Sequence, residues 1–214
     1  MDKIISRFQY ITQDVEGVSH SELALKACQS GIDWVQLRVK NKSYNELLDI
    51  ALKTELICRQ HHSKLIINDN VNIAKVVKAD GVHLGKTDMN PKEARKLLGN
   101  NFIIGGTANT FEDIEKLVDS GVNYIGLGPF RFTETKENLS PILGLEGYEK
   151  IIEECRKNKI TIPIIAIGGI KVEDVKPLIE KGVYGIAVSS AINKAENMTE
   201  VIKRFKNKIN SATK

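Results

Sequence analysis

Residues 64–107 read KLIINDNVNIAKVVKADGVHLGKTDMNPKEARKLLGNNFIIGGT. Three runs stand out, KLIIN (64–68), GVHL (81–84) and FIIGG (102–106). Each is almost continuously apolar rather than alternating, the pattern of parallel strands buried on both faces. Between the second and third, Asn90, Pro91 and Glu93 open a helix. A short side-chain oxygen meets the first amides, proline fits the first turn, and an acid follows three positions after the cap. Gly99 marks the end of that helix. Strand, helix and strand at this spacing make the repeating unit of a parallel sheet.

The same alternation continues in both directions. FQYIT (8–12) and WVQLR (34–38) precede this stretch, and YIGLG (124–128), IPIIAIG (162–168) and GIAVS (185–189) follow it. Ser19 with Glu22 and Ser43 with Glu46 repeat the cap signature, and Gly31, Gly121 and Gly182 punctuate the chain before strands two, six and eight. Eight units over 214 residues give about 27 residues each, the arithmetic of a minimal (β/α)8 TIM barrel. The expectation is one such domain over residues 1–214. An open doubly wound sheet would carry GxGxxG after its first strand. That turn here reads TQDVEGVSH (12–20).

Composition narrows the function classes. No apolar run approaches the roughly 18 residues of a membrane span, and MDKIISRFQY lacks the apolar core of a secretion signal. A cytoplasmic protein with no membrane role is expected. Cys28, Cys58 and Cys155 are odd in number and form no CxxC pair, so they read as buried thiols on helices rather than a disulfide or zinc framework. His61 and His62 read as surface residues at a helix end. The formal charge is +4, much of it in KRFKNKINSATK (203–214). There the basic residues alternate with an apolar face of Val201, Ile202, Phe205 and Ile209, which predicts a solvated last helix rather than a nucleic-acid surface. The longest irregular stretch is PFRFTETKENLSPILG (129–144), long enough in a small barrel to suggest a lid over ligand.

Active sites of this fold lie at the C-terminal ends of the strands. The polar residues expected there are Gln36, Arg38 and Lys40 after strand two, Asn68 and Asp69 after strand three, and His83 and Asp88 around strand four. Thr107 and Asn109 follow strand five, Thr133, Thr135 and Lys136 follow strand six, and Gly168-Gly169 and Ser189-Ser190 close the circle. Arg38, Lys40 and Lys136 suit phosphate oxygens. Asp69 and Asp88 are hard oxygen ligands suited to Mg²⁺. The glycine turn and the helix start after Ser189-Ser190 offer backbone amides to an anion. Two phosphorylated groups, one of them metal-bound, are what this inventory points to. Each residue also has a plainer reading. Asp69 can cap the helix beginning at Val71, Asp88 can close an Asx turn before Asn90, and His83 reads as a hydrogen-bonded structural histidine rather than a catalyst.

In order, QLRxK, IND, GVHLGxxD, GLGPFRFTETK, PxLG, AIGGI and GIAVSSAI resemble the thiamine-phosphate synthase family, from Tyr10 to Ile192. The pairing of QLRxK with TxTK is specific, whereas AIGGI is shared by many phosphate-binding barrels. The resemblance implies a transferase that joins hydroxymethylpyrimidine diphosphate to hydroxyethylthiazole phosphate with Mg²⁺ and releases pyrophosphate. It implies that Gln36, Arg38, Lys40, Asn68, Thr107 and Lys136 contact the pyrimidine diphosphate, with Arg38, Lys40, Lys136 and Thr107 as the catalytic set. Asp69 and Asp88 would hold Mg²⁺, and Thr133, Thr135, Gly169, Ser189 and Ser190 would surround the thiazole phosphate. Two positions depart from the family pattern: Asn70 stands where arginine is usual, and Gly105-Gly106-Thr107 replaces a GVS, keeping the hydroxyl.

The nucleophile of that reaction is a ring nitrogen with a lone pair and no proton to lose. No general base is required, in keeping with the absence of a Ser-His-Asp, Cys-His or paired acid/base motif in the sequence. The alternatives are a metal-free thiazole tautomerase working through histidine, a non-catalytic paralogue that binds thiamine phosphate for regulation, and a sugar-phosphate epimerase. Retention of Arg38, Asp69, Asp88 and Lys136 argues against the first two, and QLRxK with TxTK against the third. Oligomeric state has no signature in the sequence.

Overall fold

A computed structural model describes residues 4–132 and 141–213. Eight parallel strands close into a barrel in sequence order: β1 (Phe8–Ile11), β2 (Trp34–Leu37), β3 (Lys64–Asn68), β4 (Gly81–Leu84), β5 (Ile103–Ala108), β6 (Tyr124–Leu127), β7 (Ile164–Ile167) and β8 (Gly185–Val188). Closure is made by β1 against β8, with Phe8 opposite Ile186 and Tyr10 opposite Val188. The helices between them are α1 (His20–Gln29), α2 (Tyr44–Gln60), α3 (Val71–Val76), α4 (Pro91–Leu98), α5 (Phe111–Asp119), α6 (Gly144–Lys157) and α7 (Val175–Glu180). A four-residue helix, α8 (Ser190–Asn193), precedes the last barrel helix, α9 (Met198–Ala212). The (β/α)8 expectation is met at all eight strands.

The caps explain why the helices begin where they do. Ser19 with Glu22 and Ser43 with Glu46 form reciprocal capping boxes, and Asn90 accepts the Lys92 amide ahead of Pro91. A third box, Thr110 with Asp113, opens α5 and was not anticipated. Each such cap is worth about 1 kcal/mol. The basic tail forms α9, whose Ile202, Phe205 and Ile209 are buried. Cys28, Cys58 and Cys155 are buried on α1, α2 and α6. His61 and His62 are exposed at the end of α2.

Because every strand is buried on both faces, alternate residues divide two cores. Val35, Leu37, Leu65, Ile67, Val82 and Ile104 face outward and pack under the helices. Ile11, Trp34, Ile66, Ile103, Tyr124, Ile165 and Ala187 fill the barrel. Trp34 is fully buried and meets Tyr124 edge-on at 4.8 Å between ring centroids. The same alternation points Gln36, Asn68, His83 and Thr107, the next inward positions along their strands, toward the C-terminal mouth. β5 runs two residues beyond the expected FIIGG, since pairing with β6 persists through Thr107–Gly126 and Ala108–Leu127. Thr107 therefore stands on a strand rather than in a loop. Among the described residues, no helix is long and apolar enough to cross a membrane.

Candidate active site

A cavity of about 120 Å³ opens at the C-terminal mouth. Its floor is apolar, with Ile11, Ile167, Ile170 and Ala187. Its polar rim is formed by Arg38, His83, Thr107, Asn109, Gly168, Gly169, Ser189 and Ser190. Arg38, Thr107, Gly169, Ser189 and Ser190 are thus brought together as expected. Thr133, Thr135 and Lys136 lie outside the described residues, as does half of the 129–144 segment suggested as a lid.

Beside the cavity stands an ionic cluster. Lys40 Nζ donates to Asp69 Oδ2 at 2.6 Å. Asp69 has φ +66°, an uncommon conformation for a residue with a Cβ. The Asn70 amide bonds back to the Asn68 carbonyl at 2.8 Å, closing the rare γ-turn of positive φ around Asp69. The Asp69 amide itself donates to the His83 carbonyl at 2.8 Å, so β4 holds the turn in place. Asn70 Oδ1 accepts the Ile73 amide at 2.9 Å and caps α3. The capping role open to Asp69 in the sequence belongs to its neighbour. Its carboxylate is left for other work.

Asp88 Oδ2 accepts the Gly85 amide at 2.6 Å, reaching back three residues rather than forward into the Asx turn that the sequence suggested, and its carboxyl stands beside that of Asp69. Burial alone raises the Asp69 pKa, but the Lys40 ammonium and the Asp88 hydrogen bond outweigh it and hold the carboxyl below its usual range. Asp88 moves the other way, raised first by burial and then by the Asp69 carboxylate. Each carboxyl thus shifts the titration of the other, Asp69 downward and Asp88 upward. A divalent cation in that place satisfies both oxygens as ions, so the donor set fits a hard metal. No group of three His, Cys, Asp or Glu residues gathers for a metal among the described residues. Two carboxylates still suit Mg²⁺, which keeps several waters and takes its other ligands from substrate phosphates.

Gln36 and Asn68 join across β2 and β3, Gln36 Nε2 donating to Asn68 Oδ1 at 2.7 Å. Gln36 is 2% exposed, and its Oε1 has no hydrogen-bond partner among the described residues. A buried acceptor left open costs about 1–3 kcal/mol, so a ligand donor is its natural complement.

On the far side of the mouth, Gly168 (φ +94°) and Gly169 (φ +69°) make the turn after β7. A Cβ on Gly169 would lie 2.9 Å from Arg131 Cβ, so only glycine fits there. Arg131 locks the turn from behind. Its guanidinium donates to the Gly169 carbonyl at 2.6 Å and, as a fork, to both oxygens of Asp174 at 2.7 and 3.0 Å. Ser189 Oγ donates to Gln13 Oε1 at 2.9 Å, and Asn193 Nδ2 donates to Ser189. The Ser189 side chain is thereby tied to the scaffold, leaving Ser190 and the start of α8 as the freer part of the pair.

His83 matches its structural reading. Its ring nitrogens lie 2.9 Å from Tyr124 Oη and 3.0 Å from Thr107 Oγ1. Tyr124, Gln13, Arg131 and Asp174 support the site yet carried no sequence signal. Tyr124 lies in a run whose inward and outward residues look alike in sequence, and the other three reach the site through tertiary contacts.

A family model described as thiamine monophosphate synthase matches residues 9–192. A thiamine-phosphate synthase of Flavobacterium johnsoniae is 48% identical over 204 residues, covering 95% of this chain and 96% of the relative. One from Bacteroides fragilis is 49% identical over 199 residues, covering 93% and 98%. Among solved structures, a thiamine phosphate pyrophosphorylase from Pyrococcus furiosus superposes with a TM-score of 0.84 at 28% identity, covering 97% of each chain.

Proposed function

The chain belongs to the thiamine monophosphate synthase family, and from that premise we propose how this transferase divides its work among named residues. The substrates are 4-amino-5-hydroxymethyl-2-methylpyrimidine diphosphate and hydroxyethylthiazole phosphate, and the products are thiamine phosphate and pyrophosphate. The observation that carries this reading is the Lys40–Asp69–Asp88 cluster, in which a strained turn presents one carboxylate to a second and to an ammonium. Backbone strain of this kind costs about 1–3 kcal/mol and marks functional sites.

In the reaction, the bond between the pyrimidine CH2 and the diphosphate oxygen breaks, and the oxygen keeps the electron pair. The electron-rich aminopyrimidine spreads the positive charge left on carbon. The thiazole ring nitrogen then donates its lone pair to that carbon, forming the new C–N bond. Arg38, Lys40 and Lys136 stabilise the negative charge gathering on the leaving diphosphate. Mg²⁺, when bound, would be held by Asp69 and Asp88 and supplies further neutralisation of that charge. Gln36 Oε1, the open buried acceptor, takes a hydrogen of the pyrimidine amino group, with Asn68 orienting the amide. Thr107 contacts the pyrimidine ring. Thr133, Thr135, Gly169, Ser189 and Ser190 receive the thiazole phosphate, Gly169 and Ser190 through backbone amides. The apolar floor of Ile11 and Ile167 keeps water from the reactive carbon.

The deciding experiment is a coupling assay with both phosphorylated substrates, with and without EDTA. Thiamine phosphate formed only with metal is the expected result. Product insensitive to EDTA would remove Asp69 and Asp88 from the proposed role, and no product from folded protein would remove the synthase reading.

A further inference from the structure

A polar chain crosses the barrel interior to reach Thr107, and its other members have no part in the chemistry above. Gln9 Nε2 donates to Tyr124 Oη at 3.3 Å, Tyr124 Oη lies 2.9 Å from His83 Nδ1, and His83 Nε2 lies 3.0 Å from Thr107 Oγ1. Gln9 and Tyr124 are 1% and 0% exposed, whereas Thr107 lines the cavity. The chain therefore runs from sealed core to substrate.

Its proton positions follow from what each group can give. Burial raises the Tyr124 pKa and keeps the phenol neutral, with one proton to donate. The Gln9 amide N–H already donates to that oxygen and cannot receive. The phenol proton is directed to His83 Nδ1. A neutral imidazole accepting at Nδ1 carries its hydrogen on Nε2, which then donates to Thr107 Oγ1. With one lone pair of its oxygen taken by His83, the threonine hydroxyl cannot spend its hydrogen on the imidazole and keeps it to give to the cavity.

The backbone is shaped around this arrangement. A Cβ on Gly105 would overlap the Tyr124 ring and lie 2.6 Å from His83 Nδ1. One on Gly126 would lie 3.1 Å from His83 Cε1. Trp34 closes the other side of Tyr124.

We propose that Tyr124 and His83 are positioning residues that fix Thr107 as a hydrogen-bond donor into the cavity, so that it selects a lone pair on the substrate, a pyrimidine ring nitrogen rather than the amino group. This rests on the reading of Thr107 as a pyrimidine contact. A lone pair at that point gives the threonine hydrogen an acceptor, whereas a group that only donates leaves that hydrogen without one in a largely buried site.

The test combines side-chain nitrogen NMR with kinetics. The chain has four histidines, and His83→Gln identifies the His83 signals by their loss. In ligand-free wild type, His83 is expected as the neutral tautomer protonated at Nε2. Tyr124→Phe should disturb that tautomer and lower kcat/KM for the pyrimidine diphosphate about tenfold, with KM for the thiazole phosphate unchanged. A wild-type His83 protonated at Nδ1 would overturn the relay whether or not Tyr124→Phe folds. Equal effects on both substrates, or none on either, would reduce Tyr124 to a packing residue. The NMR result needs no turnover, so an inactive wild type would count against the synthase reading while leaving the relay decided on its own evidence.

Discussion

Asp69 and Asn70 divide between them two tasks that either could perform. Asn70 Oδ1 caps α3 at 2.9 Å from the Ile73 amide, and Asp69, turned into positive φ, pairs with Lys40 at 2.6 Å. The γ-turn makes the division possible, because it swings the Asp69 carboxylate off the helix axis and toward β2 and the Asp88 loop. Where the resemblance leads one to expect arginine after the aspartate, this chain has a capping residue.

The division gives opposite outcomes for stability and activity at adjacent positions. Asp69→Gly removes a side chain from a strained backbone and breaks an ion pair whose partners are 44% and 33% exposed, and such pairs contribute little. Thermal unfolding should find it at least as stable as wild type, since relief of left-handed strain is worth about 1 kcal/mol. Its turnover should fall about a hundredfold or more with loss of the carboxylate. Asn70→Ala should do the reverse, losing about 1 kcal/mol of stability for the missing cap while staying metal-dependent and active. Wild-type turnover from Asp69→Gly would take Asp69 out of the diphosphate machinery.

Gly105 and Gly126 offer a graded probe of the barrel interior. Alanine at 105 collides with the fully buried Tyr124 ring and with His83 Nδ1, which that ring's hydroxyl holds. Overpacking of that kind costs about 1–3 kcal/mol, and a lowered denaturation midpoint should accompany lost activity. Alanine at 126 approaches His83 Cε1 at 3.1 Å, which a small ring shift accommodates. Gly126→Ala should keep nearly wild-type stability and still lose turnover, because the shift lengthens the His83–Thr107 bond. If the two variants fall together in both measurements, the space around His83 serves packing alone.

The barrel was legible because its strands are unbroken apolar runs and its helices open on Ser-x-x-Glu or Asn-Pro. That same continuity hid which residues face inward. Tyr124 in YIGL is flanked by apolar residues on both faces, so nothing in the local pattern separates it from the outward Ile125. The cap of α3 was ambiguous for a different reason. Aspartate and asparagine cap equally well, and the choice is made by the His83 carbonyl, which holds the Asp69 amide from a neighbouring strand. Arg38, Asp69, Asp88 and Thr107 could be named because strand ends are where this fold places chemistry. The supports beneath them, Gln13, Arg131 and Asp174, act through tertiary contacts that leave no spacing to read.

Glu46 allows a check on the helix caps by pH. Hydrogen bonds from the Ser43 side chain and backbone, then Lys42, lower its pKa to about 2. A carboxyl with a depressed folded-state pKa stabilises fully above its unfolded value, near 4.5, and that stabilisation is lost as pH falls through the folded value. Glu46→Gln should therefore unfold at lower temperature than wild type at neutral pH, with the gap closing between pH 4.5 and 2. Ser43→Ala should return the Glu46 titration, followed by carboxyl carbon NMR, toward its ordinary range. A titration unmoved by Ser43→Ala would show that the box does not hold the charge.

Arg131 and Asp174 test whether the glycine turn serves one substrate. Arg131 spans from the segment after β6 to the Gly169 carbonyl and grips Asp174, which is 9% exposed, through two bonds, one to each carboxylate oxygen. Lysine keeps the charge but cannot make both bonds of the fork and reach the carbonyl at once. Arg131→Lys should loosen Gly168-Gly169 without touching Asp69, Asp88 or Gln36, which lie on the opposite strands of the barrel. KM for the thiazole phosphate should rise about tenfold, the scale set by losing a charge-assisted hydrogen bond, and KM for the pyrimidine diphosphate should hold. Asp174→Asn, which keeps one acceptor, should give a smaller rise in the same parameter. A parallel rise in both KM values would mean that the turn supports the whole mouth rather than a phosphate subsite, and the assignment of Gly169 to the thiazole phosphate would then fail.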